Sequence, residues 1–432
     1  MQSRKKTIFF LVMILILSLF IRLSYVLTVD VDNPSRADAG KYLTIAINWL
    51  DHGIYSHVPK ATKHNSFITP GYPLFLATLI KCTPDLSKLY PLILITQAVL
   101  STLTVGLIYL IGLRFMPFAW AAVATAITAI SPHAITFSGY ILTETLFTFL
   151  MVLSIYCATL LLSRKSLWLA VMFAVAAVEA SFVRPAFLLF PLFFIIVLFF
   201  KSEFLQSRIK ITATILVIMI LFWMPWQIWQ KKHQQPNGEN LFIASLALGS
   251  YPNLIYKNPA LKGFPYREDP ESKKIGKDLI SAISVIKYRA SKEPLKYLYW
   301  YTIGKPRMFF QWSILVGQGG PFIYPVKSSI YNHNWVAFQS LVIMSFLHPI
   351  FVGLTFLLVI FMLIKRLRRI SLTESEKFAM PALMSIFYFA FIHTILAPLP
   401  RYSVPLHPLI FICAIFMLYR LYTYLPFKRV DP

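Results

Sequence analysis

The sequence predicts an all-α polytopic membrane protein with about ten transmembrane helices, and three observations carry that reading. Of its 432 residues, 57% are hydrophobic and only 13% are charged, more apolar surface than one soluble core can hide. A bilayer core of roughly 30 Å needs about 20 apolar residues per helix, and runs of that length recur along the whole chain. The charges are also sorted. The 41 Lys and Arg against 17 Asp and Glu give a net +24, yet they gather between the apolar runs in a pattern that suits membrane topology rather than nucleic acid.

Taken in order, Arg4, Lys5 and Lys6 precede a run from Thr7 to Val29 that is long enough to span and shows no small-residue cleavage site, so it reads as an uncleaved first helix. The polar stretch 30–73 follows as the first external loop. Within it Tyr42, Ile45, Ala46, Trp49 and Leu50 recur at the spacing of one helix face, and Gly53 is the stop. The run from Pro70 to Cys82 is apolar but too short to span. Both read as interfacial or re-entrant helices, with Trp49 and Tyr72 at headgroup depth. Further spans are expected over 89–113, 118–137, 144–162, 167–180, 182–200, 211–229, 335–364, 378–396 and 403–424. Between them lies a large external loop, 230–334, polar and punctuated by Pro and Gly as far as Lys292, then aromatic and basic from Pro294 to Val316, as suits a membrane surface. The chain thus divides into an N-terminal transmembrane module (1–229) carrying the first external loop, an extracytoplasmic loop subdomain (230–334) and C-terminal transmembrane helices (335–432).

Lys and Arg near span ends favour the cytoplasmic side. With the N-terminus inside, the inside segments carry Arg114, then Arg164 and Lys165, then Lys201, Arg208 and Lys210, then Lys365, Arg366, Arg368 and Arg369, and finally Lys428 and Arg429. Both termini are therefore expected in the cytoplasm and both external loops on the opposite face. Modest size and the lack of a eukaryotic retention signal point to a bacterial inner (plasma) membrane, with those loops facing the periplasm or exterior.

Several residues carry a chemical reading beside a plainer one. Asp38 could serve as a general base, or Ser35 and Asp38 could be an S-x-x-D helix start whose acid complements the dipole. Asp30 and Asp32 read as solvated loop acids. Glu144, in YILTETLF, is an acid at a span's outer end; it marks a site or begins a helix after Thr143. Arg184 in SFVRPAF and Arg401 in PLPRYSVPLHP occupy outside turns, where the guanidinium fork suits an anionic headgroup, although a lone Arg there can also snorkel. Arg22 is expected to snorkel or pair with an acid, and Lys305 and Arg307 to lie on the surface. The nine histidines show no metal spacing, no nucleotide-phosphate cradle is present, and Cys82, Cys157 and Cys413 read as small apolar fillers.

The succession RADAGKYLTIAINWLDHGIY, TPGYPLFLATLI, SPHAITFSGYILTETLFTFL, FVRPAFLLFPL and PRYSVPLHPLI resembles the polytopic GT-C glycosyltransferases, in the branch that holds dolichyl-phosphate-mannose protein mannosyltransferases and bacterial aminoarabinose transferases. The likeness covers 7–200 and 378–424 and resides in order and topology rather than in one motif. It implies a GT-C-like fold and transfer of a sugar from a polyprenyl phosphate to a lipid, glycan or protein acceptor. Asp38 takes the place of the family's first-loop acid and Glu144 that of a second acid. Arg184 matches a basic position near the lipid phosphate, and Arg401 with Tyr402 a basic-aromatic pair before the last span. Lys63 and His64 join them as donor-binding candidates. Protein mannosyltransferases carry adjacent acids in this loop, whereas Ala39 follows Asp38, which weighs against a protein acceptor. No cofactor is implied, and a divalent metal is optional. The rival readings are a transporter or flippase of lipid-linked glycans, which would set charges along a path across the bilayer, and a non-catalytic scaffold. The candidate charges gather at one face, which favours the transferase.

Overall fold

Between lipid-immersed helices there is little hydrophobic driving force, so small residues decide which helices approach closely. The computed structural model, which describes residues 2–83, 85–199, 205–233, 241–254, 272–276, 278–314 and 320–424, follows this rule. Helix α7 (Glu144–Leu161) makes its most extensive packing with α8 (Leu167–Val183). The buried face of α8 carries Ala170, Phe173, Ala174, Ala177, Val178 and Ser181, a three-four repeat of mostly small side chains.

Seven segments among the described residues are long and apolar enough to cross a membrane. They belong to α1 (Gln2–Thr28), α4 (Leu86–Gly112), α7, α10 (Leu205–His233), α17 (Trp335–Leu367), α18 (Glu374–Ile395), and a 3-10 turn running into α19 (His407–Tyr424). The last is central, with 78% of its apolar window buried, whereas α10 has 17% buried and turns Ile220, Leu221 and Ile228 outward. Three other expected spans correspond to shorter helices. The region 118–137 is split into α5 (Phe118–Ala129) and α6 (Pro132–Phe137), because Pro132 cannot continue a helix and instead starts one. The remaining two are α8 and α9 (Phe190–Phe199), separated by a 3-10 turn at Pro185–Phe187.

The first loop contains the two expected short helices, α2 (Asp38–His52) and α3 (Gly71–Cys82). Gly53 ends α2 in the left-handed conformation, φ 66°, and its N–H bonds back to Trp49. Gly71 is required by packing: a Cβ there would lie 2.6 Å from the backbone of Phe182 and Val183, so only glycine lets α3 dock on the end of α8. In the large loop lie α11 (Leu241–Gly249), α12 (Ser272–Ile275), α13 (Leu279–Lys292), α14 (Pro294–Tyr299), α15 (Lys305–Phe309) and α16 (Ile330–His333), with a π-helical turn at Trp300–Gly304. Much of the polar part expected as a subdomain (234–240, 255–271 and 277) lies outside the described residues, as do Lys201, Lys428 and Arg429.

The structure corrects four local expectations. A two-stranded ribbon joins the loops, β1 (Asp30–Val31) pairing antiparallel with β2 (Val326–Ser328). Arg22 does not snorkel, and it meets no acid among the described residues: it is fully buried, with Nε donating to Ser101 Oγ at 2.7 Å and Nη1 to Ser18 Oγ at 2.6 Å and the Ala129 carbonyl at 2.9 Å. Lys305 is buried rather than superficial. Its ammonium donates to the carbonyls of Thr394, Ile395 and Leu396 at 2.8, 3.1 and 3.0 Å, satisfying the orphan acceptors at the end of α18. Cys157 and Cys413 are buried fillers as expected, but Cys82 is exposed.

Opposite the first loop, the helix ends are basic and mutually joined. Arg114 donates to Ser163 Oγ at 2.8 Å, while Lys365 and Arg420 both meet the buried Glu376, at 2.7 and 3.0 Å. Glu376 also closes a capping box with Thr373 at the start of α18.

Candidate functional site

Residues 33–40 form a tight turn that delivers Asp38 to the first turn of α2. Gly40 permits it, since a Cβ there would stand 2.5 Å from the Ser35 carbonyl oxygen. Ala37, just before Asp38, has φ 53° and ψ −122°, a region costly for any residue with a Cβ. The Ser35 hydroxyl donates to Asn33 Oδ1 instead of capping the helix, so the serine half of the S-x-x-D start is not formed, while Asp38 does stand in the first turn of α2, where an acid complements the dipole. The turn is held from the large loop, where the Tyr324 hydroxyl donates to the Arg36 carbonyl at 3.3 Å and its ring lies 5.2 Å from the Arg36 guanidinium. Burial pushes the Tyr324 phenol up to about 12.

Glu144, the first residue of α7, is 1% exposed at its side chain and is the hub of the site. Its Oε1 accepts from Arg184 Nη2 at 2.6 Å and from Arg401 Nε at 3.0 Å. Arg184 leaves the end of α8 in extended conformation, because Pro185 disfavours a helical residue before it, and its Nε also donates to Thr143 Oγ1 at 3.0 Å. Arg401 stands on the 3-10 turn Pro400–Leu406, and its Nη1 reaches Asp38 Oδ2 at 3.4 Å. Tyr402 sits beside both cations, 5.4 Å from the Arg184 guanidinium and 5.8 Å from that of Arg401. The structure therefore brings together Asp38, Glu144, Arg184, Arg401 and Tyr402 from four separate parts of the chain.

The exposures differ in a useful way. The Asp38 side chain is 40% exposed, those of Arg184 and Arg401 are 13% and 14% exposed, and Glu144 is closed off. Asp38 is thus the acid a solute can reach, while Glu144 is committed to holding the arginines. Each guanidinium has five N–H donors, and the contacts above use two on each, Nη2 and Nε of Arg184 and Nε and Nη1 of Arg401. The other N–H groups have no partner among the described residues.

Tyr42 follows Asp38 by one helical turn and packs edge-on to Tyr72 at 5.1 Å. Burial first, then the Asp38 carboxylate, holds the Tyr42 phenol protonated far above its ordinary range. The Tyr72 hydroxyl donates to Gln97 Oε1 at 3.0 Å, and Gln97 Nε2 donates to the carbonyls of Tyr140 at 2.8 Å and Ser138 at 3.2 Å, tying α3 to α4 and to the segment that follows α6. Tyr42 and Thr143 are the members that sequence reasoning missed. Their signal was adjacency, one turn after Asp38 and one residue before Glu144.

Lys63 and His64 are not brought into this cluster. Lys63 is exposed. His64 accepts from the Tyr55 backbone N–H at 3.0 Å and packs against His233 and Trp229, ring centroids 4.6 and 5.3 Å away, which pins the loop to the end of α10. Among the described residues no group of three or more His, Cys, Asp or Glu is placed to hold a metal ion.

No protein-family model matches the sequence, and no curated protein matches it. Solved structures do resemble the fold. ArnT from Cupriavidus metallidurans bound to undecaprenyl phosphate superposes with TM-score 0.50 at 12% identity, covering 96% of this chain and 60% of that one. The archaeal oligosaccharyltransferase AglB from Archaeoglobus fulgidus, in complex with an inhibitory peptide and a dolichol-phosphate, gives 0.50 at 12% identity, covering 98% and 52%. The chain thus spans only a half to three-fifths of the length of these structures. At such identities the likeness is one of fold alone: this chain shares the helical membrane architecture of these structures.

Proposed function

We propose that the protein is an integral-membrane glycosyltransferase that moves a sugar from a polyprenyl-phosphate donor to a lipid or glycan acceptor at the extracytoplasmic face. The observation that carries this reading is the reachable Asp38 carboxylate held beside two guanidiniums that share one buried acid. Orientation follows from charge: the site lies at the opposite helix ends from Arg114, Arg164, Lys165 and the run Lys365 to Arg369, which marks the cytoplasmic side.

In this reading Asp38 accepts the proton of the acceptor hydroxyl or amine as that atom attacks the anomeric carbon. The bond from that carbon to the phosphate oxygen breaks, and its electron pair leaves with the polyprenyl phosphate. Arg184 and Arg401 meet the charge that develops there, in a poorly solvated setting where such contacts are strong. Glu144 touches no substrate. It fixes both guanidiniums in place, and Tyr402 walls them. Lys63 and His64 have no part in this centre. A groove of about 600 Å³ between the Thr302–Trp312 segment and α17, lined by Ile303, Phe310, Val352 and Phe356 and by the exposed Arg307, suits a prenyl tail. The polyprenyl phosphates named with ArnT and AglB are in keeping with such a donor.

The test is release of free polyprenyl phosphate by purified wild type and Asp38→Asn, from a panel of polyprenyl-phosphate sugars with a lipid or glycan acceptor present. Acceptor-dependent release by wild type and its loss in a folded mutant are expected. Equal release from both would remove Asp38 as the base. If wild type releases nothing from any donor yet moves lipid-linked glycans across liposomes, the chain is a transporter.

A further inference from the structure

Glu144 also lines a small internal cavity of about 20 Å³, together with Arg22, Thr104, Thr128, Thr148 and His407. Two of these side chains are buried with polar atoms that find no hydrogen-bond partner among the described residues: Nη2 of Arg22, and both ring nitrogens of His407. Leaving such groups unmet is costly, and roughly 10–15 Å³ is space enough for one water. The lining settles the chemistry of the occupant. The hydroxyls of Thr104, Thr128 and Thr148 donate to the carbonyls of Leu100, Ala124 and Glu144 at 2.9, 2.9 and 2.6 Å. What they turn to other neighbours is lone pairs, which repel an anion and receive a donor.

His407 also sits between two fixed imidazoles. His133 and His348 bond through Nε2 to the carbonyls of Trp312 and Phe310, at 2.9 and 2.8 Å, so Nε2 carries the proton in each and Nδ1 is a bare acceptor. Their rings stand 4.7 Å from that of His407. Neither of these Nδ1 atoms is bonded to His407, so the bare ring nitrogen of a neutral His407 still needs a donor.

We propose that this cavity binds one water, which accepts from Arg22 Nη2 and donates to His407, and that Arg22 and His407 are thereby positioning residues for Glu144. The positioning clause rests on the transferase reading; the water does not. The test is a double-mutant cycle on thermal unfolding of the full chain in detergent, with Arg22→Met, His407→Phe and the double variant. Because no direct bond joins the two residues, a shared water makes the double variant's loss of melting temperature smaller than the sum of the single losses. Additive losses would overturn the proposal. Should a single variant fail to fold, a high-resolution map of the wild type decides: density within hydrogen-bond distance of both atoms supports the water, and an unfilled cavity refutes it. For positioning, His407→Phe should lower kcat about tenfold with KM unchanged; an unchanged kcat removes that clause alone. A wild type inactive on every donor would count against the transferase while leaving the cycle and the map to judge the water.

Discussion

Glu144→Gln and Asp38→Asn are nearly isosteric changes at the same cluster, and the structure gives them opposite consequences. Glu144 Oε1 receives both guanidiniums, at 2.6 and 3.0 Å, on a side chain 1% exposed. The amide oxygen still accepts from the charged guanidiniums, but the substitution removes the one negative charge that both share and leaves two neighbouring cations against Asp38 alone. The upper bound on the cost is the roughly 3–5 kcal/mol seen when one partner of a buried ion pair is removed. Asp38 meets Arg401 through one 3.4 Å contact, on a side chain 40% exposed. Solvent-screened pairs of that kind contribute at most about 1 kcal/mol. Asp38→Asn should therefore unfold near the wild-type temperature while losing roughly 10²–10⁴ in turnover as the general base is removed. Glu144→Gln should unfold several degrees lower, with turnover falling because the arginines are no longer fixed. Thermal unfolding in detergent paired with polyprenyl-phosphate release measures both. If Asp38→Asn costs as much stability as Glu144→Gln, or keeps its turnover, the division into a reachable base and a buried anchor is wrong.

Arg401→Lys should lower turnover about tenfold or more, since one ammonium cannot reproduce the Nε contact to Glu144 together with the Nη1 contact to Asp38, and one lost charge-assisted bond of ~1.5 kcal/mol is roughly a factor of ten; wild-type rates in Arg401→Lys would contradict the two-acid bridge. Ala37→Gly removes the Cβ from a residue at φ 53° and should raise stability by about 1 kcal/mol after glycine's entropic cost, read as a higher melting temperature with the fold unchanged. Lys305 gives a pH test. Burial draws its ammonium down to about 7, below the ~10.4 of an unfolded lysine. Between those values the unfolded chain binds more protons, so this group makes stability rise with pH from about 7 to 10, its penalty being fully present below 7. The difference in melting temperature between wild type and Lys305→Met should change across that window; parallel profiles would show that Lys305 does not titrate there.

The apolar runs were legible because hydropathy is a local property, and so were the two first-loop helices, since the spacing of Ile45, Ala46 and Trp49 and the stop at Gly53 need no tertiary knowledge. The four charged residues were each legible as anomalies at span ends. Their convergence was not written locally: Arg401 lies 257 residues from Glu144 and 363 from Asp38, and only helix packing decides that one guanidinium touches both acids. The break between Ala129 and Pro132 had its signal in Ser131-Pro132, but apolar residues on both sides mask it in any averaged window. The β1–β2 ribbon, with strands of two and three residues, is too short to show an alternating period at all. Lys305 failed for a different reason. A lysine among aromatics reads as interfacial, yet the end of a buried helix leaves carbonyls that need donors, and which helix end lies nearby is a fact of the fold alone. Arg22 shows the same logic more sharply: with Ser18, Ser101 and the Ala129 carbonyl as partners it needs no acid, because α5 ends beside it and the helix terminus itself supplies the negative pole.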